Sequence, residues 1–422
     1  MNKAQSRRHF IKLAACAGLV LTGCNNNPGN STFIQPTQIK ASETQHAAPV
    51  TPTPANTPSP HKAPSLTHIP SPSRPPDPAP ASISKTGSKV IHVHAPSASR
   101  WPSSSSKYWK SLDQAVVTDM VNRGVTELTG QSTIEDAWRA LLPGYIPSQA
   151  GQIAIKINCN SIEAIDDEDE DIESVAEPIY AVIKGLVQAG ITESDICVFD
   201  AVRGIPDRIY SPIHADFPGV NFYDKYFRSR AGFSSTGAVY FNPPEEIPPP
   251  SGIQVTDVLV NARYLINAPL LKKHSLPGVT LGFKHHFGSI NLPAQLHEYI
   301  GLSGKYFRKD YSVLVDLFKN THIGPKTILT MADGLFGYTG AGGREPSPWR
   351  TFGDRIPNSL FFSKDPVAID CVLCDFLDAE INIPDQADCY LKLAANAGLG
   401  TYERADPWRS TYQSIDYRKI NV

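Results

Sequence analysis

Ile153-Ala154-Ile155-Lys156-Ile157, then Val175 to Ala189, then Ile196-Cys197-Val198-Phe199-Asp200 decide the fold. The first and last are short apolar runs of strand length, each ending in a charged or polar residue. The middle segment has helical apolar spacing and stops at Gly190, a helix-terminating residue. Strand, helix and strand in succession make a parallel pair, because parallel neighbours need a long crossover. The same alternation spreads outward. Lys89 to Val93 reads as a strand, and Tyr108 to Arg123 as a helix with Leu112, Val116, Met120 and Val121 on one face. Ser132-Thr133-Ile134-Glu135 reads as a capping box opening a helix through Leu142. Further strands are predicted at Val255 to Val260, Leu265-Ile266-Asn267, Thr327 to Met331 and Ser359 to Phe362. Helices are predicted near 310–320, 366–378 and 387–397. The expectation is an α/β domain over residues 88–422, with a mainly parallel sheet and helices on both faces.

The chain ahead of this domain is of another kind. Ser6-Arg7-Arg8-His9-Phe10-Ile11-Lys12 matches the signature of a twin-arginine (Tat) export signal. The apolar stretch from Leu13 to Leu21 is too short to span a bilayer, which takes roughly 20 residues. Leu21-Thr22-Gly23-Cys24 then reads as a lipobox, with Cys24 the residue to be acylated. Residues 1–24 are thus expected to be a Tat lipoprotein signal peptide. Partners implied are the Tat translocase during export and a lipid bilayer afterwards, with the protein anchored in the cell envelope outside the cytoplasmic membrane. Residues 25–87 hold 14 of the 37 prolines among Ser, Thr and Ala, with Phe33 as their one aromatic. Such a segment cannot bury enough apolar surface to offset the entropy of ordering, so a disordered Pro-rich linker is expected. At about 3.1 Å per residue it would reach at most about 190 Å.

Charge separates along the same boundary. Residues 1–89 carry nine Lys or Arg against two acids, and the remainder carries 30 against 39. An acidic domain argues against a nucleic-acid partner. The run Asp166-Asp167-Glu168-Asp169-Glu170-Asp171 lacks the glycine and terminal glutamate of a calcium loop and reads as a solvated loop.

In open α/β sheets, ligands bind where strands end and loops begin. Lys156 with Asn158, Asp200, Asn267 and Asp333 stand at four such ends. The densest stretch runs from Asn267 to Gly288, with Lys272, Lys273, Lys284, His274, His285 and His286 set among apolar and small residues. Lysines in that setting suit a carboxylate or phosphate, and a histidine beside them suits acid/base work. This gives Lys156, Asn158, Asn267, Lys272 and Asp333 as ligand-binding candidates, and His274 and Lys284 as catalytic candidates. His285 and Asp200 could join a mixed N/O metal site.

At these residues the chain resembles the domain of unknown function 362 family. The blocks are Lys156-Ile157-Asn158, Asn267-Ala268-Pro269-Leu270-Leu271-Lys272-Lys273-His274, Gly278-Val279-Thr280-Leu281-Gly282-Phe283-Lys284, Ala332-Asp333-Gly334-Leu335 and Ser363-Lys364-Asp365-Pro366-Val367-Ala368-Ile369-Asp370. They occur in order over about residues 89 to 400. The resemblance implies a site near Lys156, Lys272, His274, Lys284 and Asp333, by motif position. The chain departs from the family pattern at His285, where Asn is common, and at Ile157, where Pro is usual. Many relatives also carry a ferredoxin-like segment; no C-x-x-C-x-x-C-x-x-x-C run occurs here, so no built-in iron–sulfur cluster is implied.

Cys371-Val372-Leu373-Cys374 has redox-motif spacing but falls inside a predicted helix, where it reads as core; a disulfide or redox role is the alternative. The glycines at 334, 337, 340, 342 and 343 read as a flexible loop closed by Arg344, without nucleotide-binding register. Three functions follow: a domain binding or acting on a small anion, a non-catalytic envelope binding lipoprotein, or a metal or redox accessory. The cofactor and substrate are not legible.

Overall fold

A computed structural model of the protein describes residues 88–102, 107–148, 152–160, 172–340 and 345–422. The export signal, Cys24, the Pro-rich linker, the acidic run at 166–171, and Gly342, Gly343 and Arg344 lie outside the described residues.

Thirteen described strands are β1 (Ser88–His94), β2 (Ile153–Lys156), β3 (Ile196–Phe199), β4 (Asn221–Asp224), β5 (Ser229–Arg230), β6 (Phe233–Ala238), β7 (Gln254–Thr256), β8 (Tyr264–Asn267), β9 (Leu270–His274), β10 (Gly278–Val279), β11 (Thr327–Tyr338), β12 (Ser359–Ser363) and β13 (Ile415–Asn421). The main sheet runs β13-β1-β12-β11-β8-β2-β3-β4-β5, with β9 beside β11 and β10 on β9, while β6 and β7 pair separately. Along that path only β12 runs antiparallel to its neighbours.

The α-helices are α1 (Gln114–Thr129), α2 (Ile134–Leu141), α3 (Ala176–Gln188), α4 (Asp207–Asp216), α5 (Asp257–Asn261), α6 (Leu281–His285), α7 (Pro293–Ile300), α8 (Val313–Lys319), α9 (Pro366–Ile381) and α10 (Cys389–Asn396). Side chains of a strand alternate between faces, and two cores result. Ile153, Ile155, Ile196 and Val198 pack with α1 to α4. Ala154, Cys197, Phe199 and Leu265 pack on the other face with residues of α6 to α10. Helices therefore cover both faces of a mainly parallel sheet, as the strand–helix–strand pattern predicts.

Chain order places the switch in strand order. From β2 the chain proceeds to β3, β4 and β5 on one side, then returns to β8 on the other and continues to β11. Lys156 of β2 and Asn267 of β8 are register partners across this divide. Two strand-end residues picked from the sequence thus face each other at the crevice where such sheets bind ligands.

Four local expectations are corrected. Val255 to Val260 is not one strand, because the Thr256 side chain caps Val258 and turns the chain into α5 after three residues of β7. Tyr108 to Arg123 is broken at Leu112, where a single turn (Tyr108–Ser111) ends and Asp113 caps α1 through the N–H groups of Ala115 and Val116. Gly334 and Gly337 do not form a loop, since both lie within β11. Gly337 has φ +62°, and a Cβ there would meet Trp349 at 2.6 Å. The capping box also shifts by one residue: Thr133 is the N-cap and accepts from Asp136 N–H at 3.1 Å. No helix among the described residues is long and apolar enough to cross a membrane.

Candidate functional site

The candidate residues from the sequence separate into three groups. The first is centred on Lys156, whose side chain is fully buried. An ammonium held out of water needs partners from the protein. Lys156 Nζ donates to Asp200 Oδ2 at 3.0 Å, to the Ile157 carbonyl and to His285 Nε2 at 3.3 Å. With Nε2 accepting, the proton of the neutral imidazole sits on Nδ1, and it donates to Asn267 Oδ1 at 2.7 Å. Asn267 Nδ2 passes the chain on to the Gly282 carbonyl at 3.2 Å. Burial first, then the Lys156 and His286 charges, hold the His285 pKa well below its usual value. Asp200 is equally occupied: Oδ2 also accepts from Cys159 N–H at 3.2 Å, and Oδ1 from Val202 and Arg203 N–H at 3.1 Å each. Gly288 leaves room for the pair, since a Cβ there would meet Lys156 Nζ at 2.5 Å and Asp200 Oδ2 at 3.0 Å.

The structure therefore brings His285 and Asp200 together, with the Lys156 ammonium between them. That is a donor network joining two strand ends to α6. Among the described residues no three His, Cys, Asp or Glu side chains gather closely enough to hold a metal ion.

The second group is cationic and less satisfied. Lys284 lies one residue before His285 on α6, and the helix turn directs it elsewhere. Its side chain is 8 % exposed. The ammonium lies 4.8 Å from the centroid of the Phe287 ring and has no hydrogen-bond partner among the described residues. Phe287 meets His297 edge-on at 5.2 Å, and His297 stacks with His274 at 5.9 Å. Burial is the main reason the Lys284 pKa falls to about 7, and the charges of Lys272 and Arg203 lower it further. His274 falls to about 3 through burial and the charges of Lys284, His297 and Lys272, so its imidazole is neutral near pH 7. Its Nδ1 accepts from Leu276 N–H at 3.1 Å, which leaves the proton on Nε2. Lys272 donates to the Ile172 carbonyl at 3.3 Å and lies 5.5 Å from the Tyr338 ring.

The third group holds Asp333, which β11 turns toward the opposite core. Asp333 accepts from Leu335 N–H at 2.9 Å, and burial raises its pKa to about 6. Its charge acts on Glu177 and Tyr108, away from Lys284. Asn158 stays beside the first group: Ser174 Oγ accepts from its backbone N–H at 2.9 Å, while its buried Oδ1 has no partner among the described residues.

Sequence reasoning missed Arg203, His297 and Asp370 as parts of this region. Arg203 sits three residues past Asp200 in a turn with no motif of its own. His297 lies on α7, where one histidine in a helix carries no signal. Asp370 is buried inside α9 and accepts from the N–H groups of Gly282 at 2.8 Å and Phe283 at 3.1 Å, and from Tyr390 Oη at 3.0 Å. It fixes the start of α6 and hence the positions of Lys284 and His285. Burial raises its pKa to about 7. Leu281, at the same helix start, has φ +44°, a backbone conformation an L residue adopts at a cost of order 1–3 kcal/mol.

All five described cysteines are free thiols. Cys371 and Cys374 are buried on α9, and burial raises both pKa values, so the pair is core packing as its helical spacing predicts.

No curated protein matches the sequence. Residues 153–375, more than half of the 422-residue chain, match the family described as Domain of unknown function (DUF362), and the protein belongs to that family.

Proposed function

We propose that the domain binds a small anion at the C-terminal edge of its sheet and that Lys284 supplies the central cation. The observation that carries this reading is the Lys284 ammonium, nine-tenths buried and without a hydrogen-bond partner among the described residues. The nitrogen is not among the sealed, unpartnered side-chain atoms, so it stays reachable from outside the fold. A carboxylate or phosphate would return the missing interactions, helped by the charges of Lys272 and Arg203. His274, neutral with its proton on Nε2, suits a hydrogen-bond donor to such a ligand better than a charged acid. Lys156 has another role here: with Asp200, His285 and Asn267 it locks the sheet to α6.

The test is calorimetric titration of the full chain with inorganic phosphate, acetate and citrate, in wild type and Lys284→Met. Saturable binding that weakens at least tenfold in the variant supports the reading. Equal affinity in both proteins, or no binding by either, contradicts it.

Residues 5–24 support export by the Tat route and tethering through acylated Cys24, which places the site in the cell envelope. Labelled palmitate should enter the wild-type chain and not Cys24→Ala, and Arg7→Lys with Arg8→Lys should retain the precursor in the cytoplasm. Label in the Cys24→Ala chain would refute the anchor.

A further inference from the structure

We infer that a cavity beside β4 and β5 binds a small zwitterionic α-amino acid, its carboxylate on Arg230 and its ammonium on Asp257. None of the residues lining this cavity belongs to the Lys156 or Lys284 groups, so the inference stands apart from the anion-binding reading above.

The cavity is about 330 Å³, and its lining includes Arg230, Asp257, Asn261, Tyr223 and Val258. A water takes about 30 Å³ of liquid, so the space admits a molecule of several heavy atoms. β5 contributes Arg230, the register partner of Asp224 on β4. The Asp224 carboxylate is itself fixed, accepting from the N–H groups of Ile205 and Tyr226 at 2.8 Å each and of Arg228 at 2.9 Å. α5 contributes Asp257. Ser234 Oγ donates to Asp257 Oδ1 at 2.5 Å, and the Asp257 N–H donates to the Gly232 carbonyl at 2.8 Å. Asp257 Oδ2 has no hydrogen-bond partner among the described residues. Gly232 keeps that oxygen open, since a Cβ there would meet it at 3.0 Å.

Arg230 and Asp257 share this cavity, yet among the described residues neither forms an ion pair with the other or with any further side chain. Two opposite charges left unpaired in one cavity suit a ligand that carries both. In an α-amino acid the carboxylate accepts the parallel N–H groups of the guanidinium, and the ammonium donates to Asp257 Oδ2. The Asn261 amide and the Tyr223 hydroxyl have no side-chain partners among the described residues and add hydrogen-bonding groups. Val258 offers apolar contact to a short side chain. A simple anion would set like charge beside Asp257, and a simple cation would do so beside Arg230.

The experiment is calorimetric titration of the full chain, in wild type and Lys284→Met, with L-alanine and with its two halves, propionate and ethylamine. L-Alanine should bind both proteins alike, and at least tenfold more tightly than either half binds Lys284→Met. Arg230→Ala and Asp257→Asn should each weaken alanine at least tenfold while the unfolding midpoint holds. If a variant fails to fold, the preference for alanine over its halves decides by itself. The inference is overturned if alanine does not bind, or if either half binds Lys284→Met as tightly as alanine does. It is also overturned if alanine affinity follows Lys284 and ignores Arg230 and Asp257.

Discussion

Lys156 and Lys284 sit on opposite sides of one design problem. Each is a cation taken out of water at the C-terminal edge of a parallel sheet. Lys156 is matched to a carboxylate, an imidazole and a carbonyl, and its surroundings are closed. Lys284 faces an aromatic ring and further positive charge. A satisfied buried charge holds structure, and removing one partner is what harms it. One that the fold leaves unpaired holds no structure, and under the proposed function an anion supplies its missing partner.

The largest effect expected from this comparison is in the first region. Lys156→Met leaves the Asp200 carboxylate buried without its counter-ion, and the loss should be about 3–5 kcal/mol in denaturant unfolding. An unchanged midpoint would mean that Asp200 and Lys156 do not depend on each other.

Lys284→Met should do the reverse. A folded pKa near 7 against about 10.5 in the unfolded chain means the unfolded state binds more protons between those values. Wild-type stability from this group therefore rises from pH 7 to pH 10.5, and its penalty is complete below pH 7. The methionine variant should be more stable than wild type at pH 6, by at most about 5 kcal/mol for a shift of that size, a gain that disappears by about pH 10.5. Destabilisation at pH 6 would break the contrast with Lys156.

Gly288→Ala sharpens the first region further. The added methyl group meets Lys156 Nζ, which three partners hold in place, so a loss of about 1–2 kcal/mol is expected. Full tolerance would show that the lysine can retreat. The smallest effect is expected of His274→Gln. It keeps a side-chain donor and removes an already neutral group, so unfolding should change by less than about 1 kcal/mol. Phosphate binding should weaken nonetheless.

Much of the architecture is legible in the chain because β2, α3 and β3 obey their periods: apolar runs of four or five residues around a helix that ends at Gly190. Other elements are hidden for physical reasons. β13 (Ile415–Asn421) lies at the sheet edge and alternates with Asp416, Arg418 and Lys419, which resembles ordinary surface chain. Thr256 ends β7 through a side-chain hydrogen bond that competes with the strand ladder. Gly334 and Gly337 suggest a loop, yet the close approach of Leu271 and Trp349 is what requires them inside β11.

The site is legible as residue types and not as groups. Lys156, Asp200 and Asn267 announce themselves at strand ends, but only the register of β2 against β8 brings them together. Lys284 and His285 are adjacent in sequence and would be assigned one role. A helix turns neighbours about 100° apart, and that rotation gives one to the closed network and the other to the cationic cluster. Asp333 fails to join either because β11 presents it to the other face of the sheet.

The most direct test of the central claim is the titration of Lys284 itself, followed by NMR of selectively labelled lysine in the full chain, with and without phosphate. One lysine should titrate near pH 7, be absent from Lys284→Met and shift upward when phosphate is added. A Lys284 signal that titrates near pH 10.5 and ignores phosphate would contradict it.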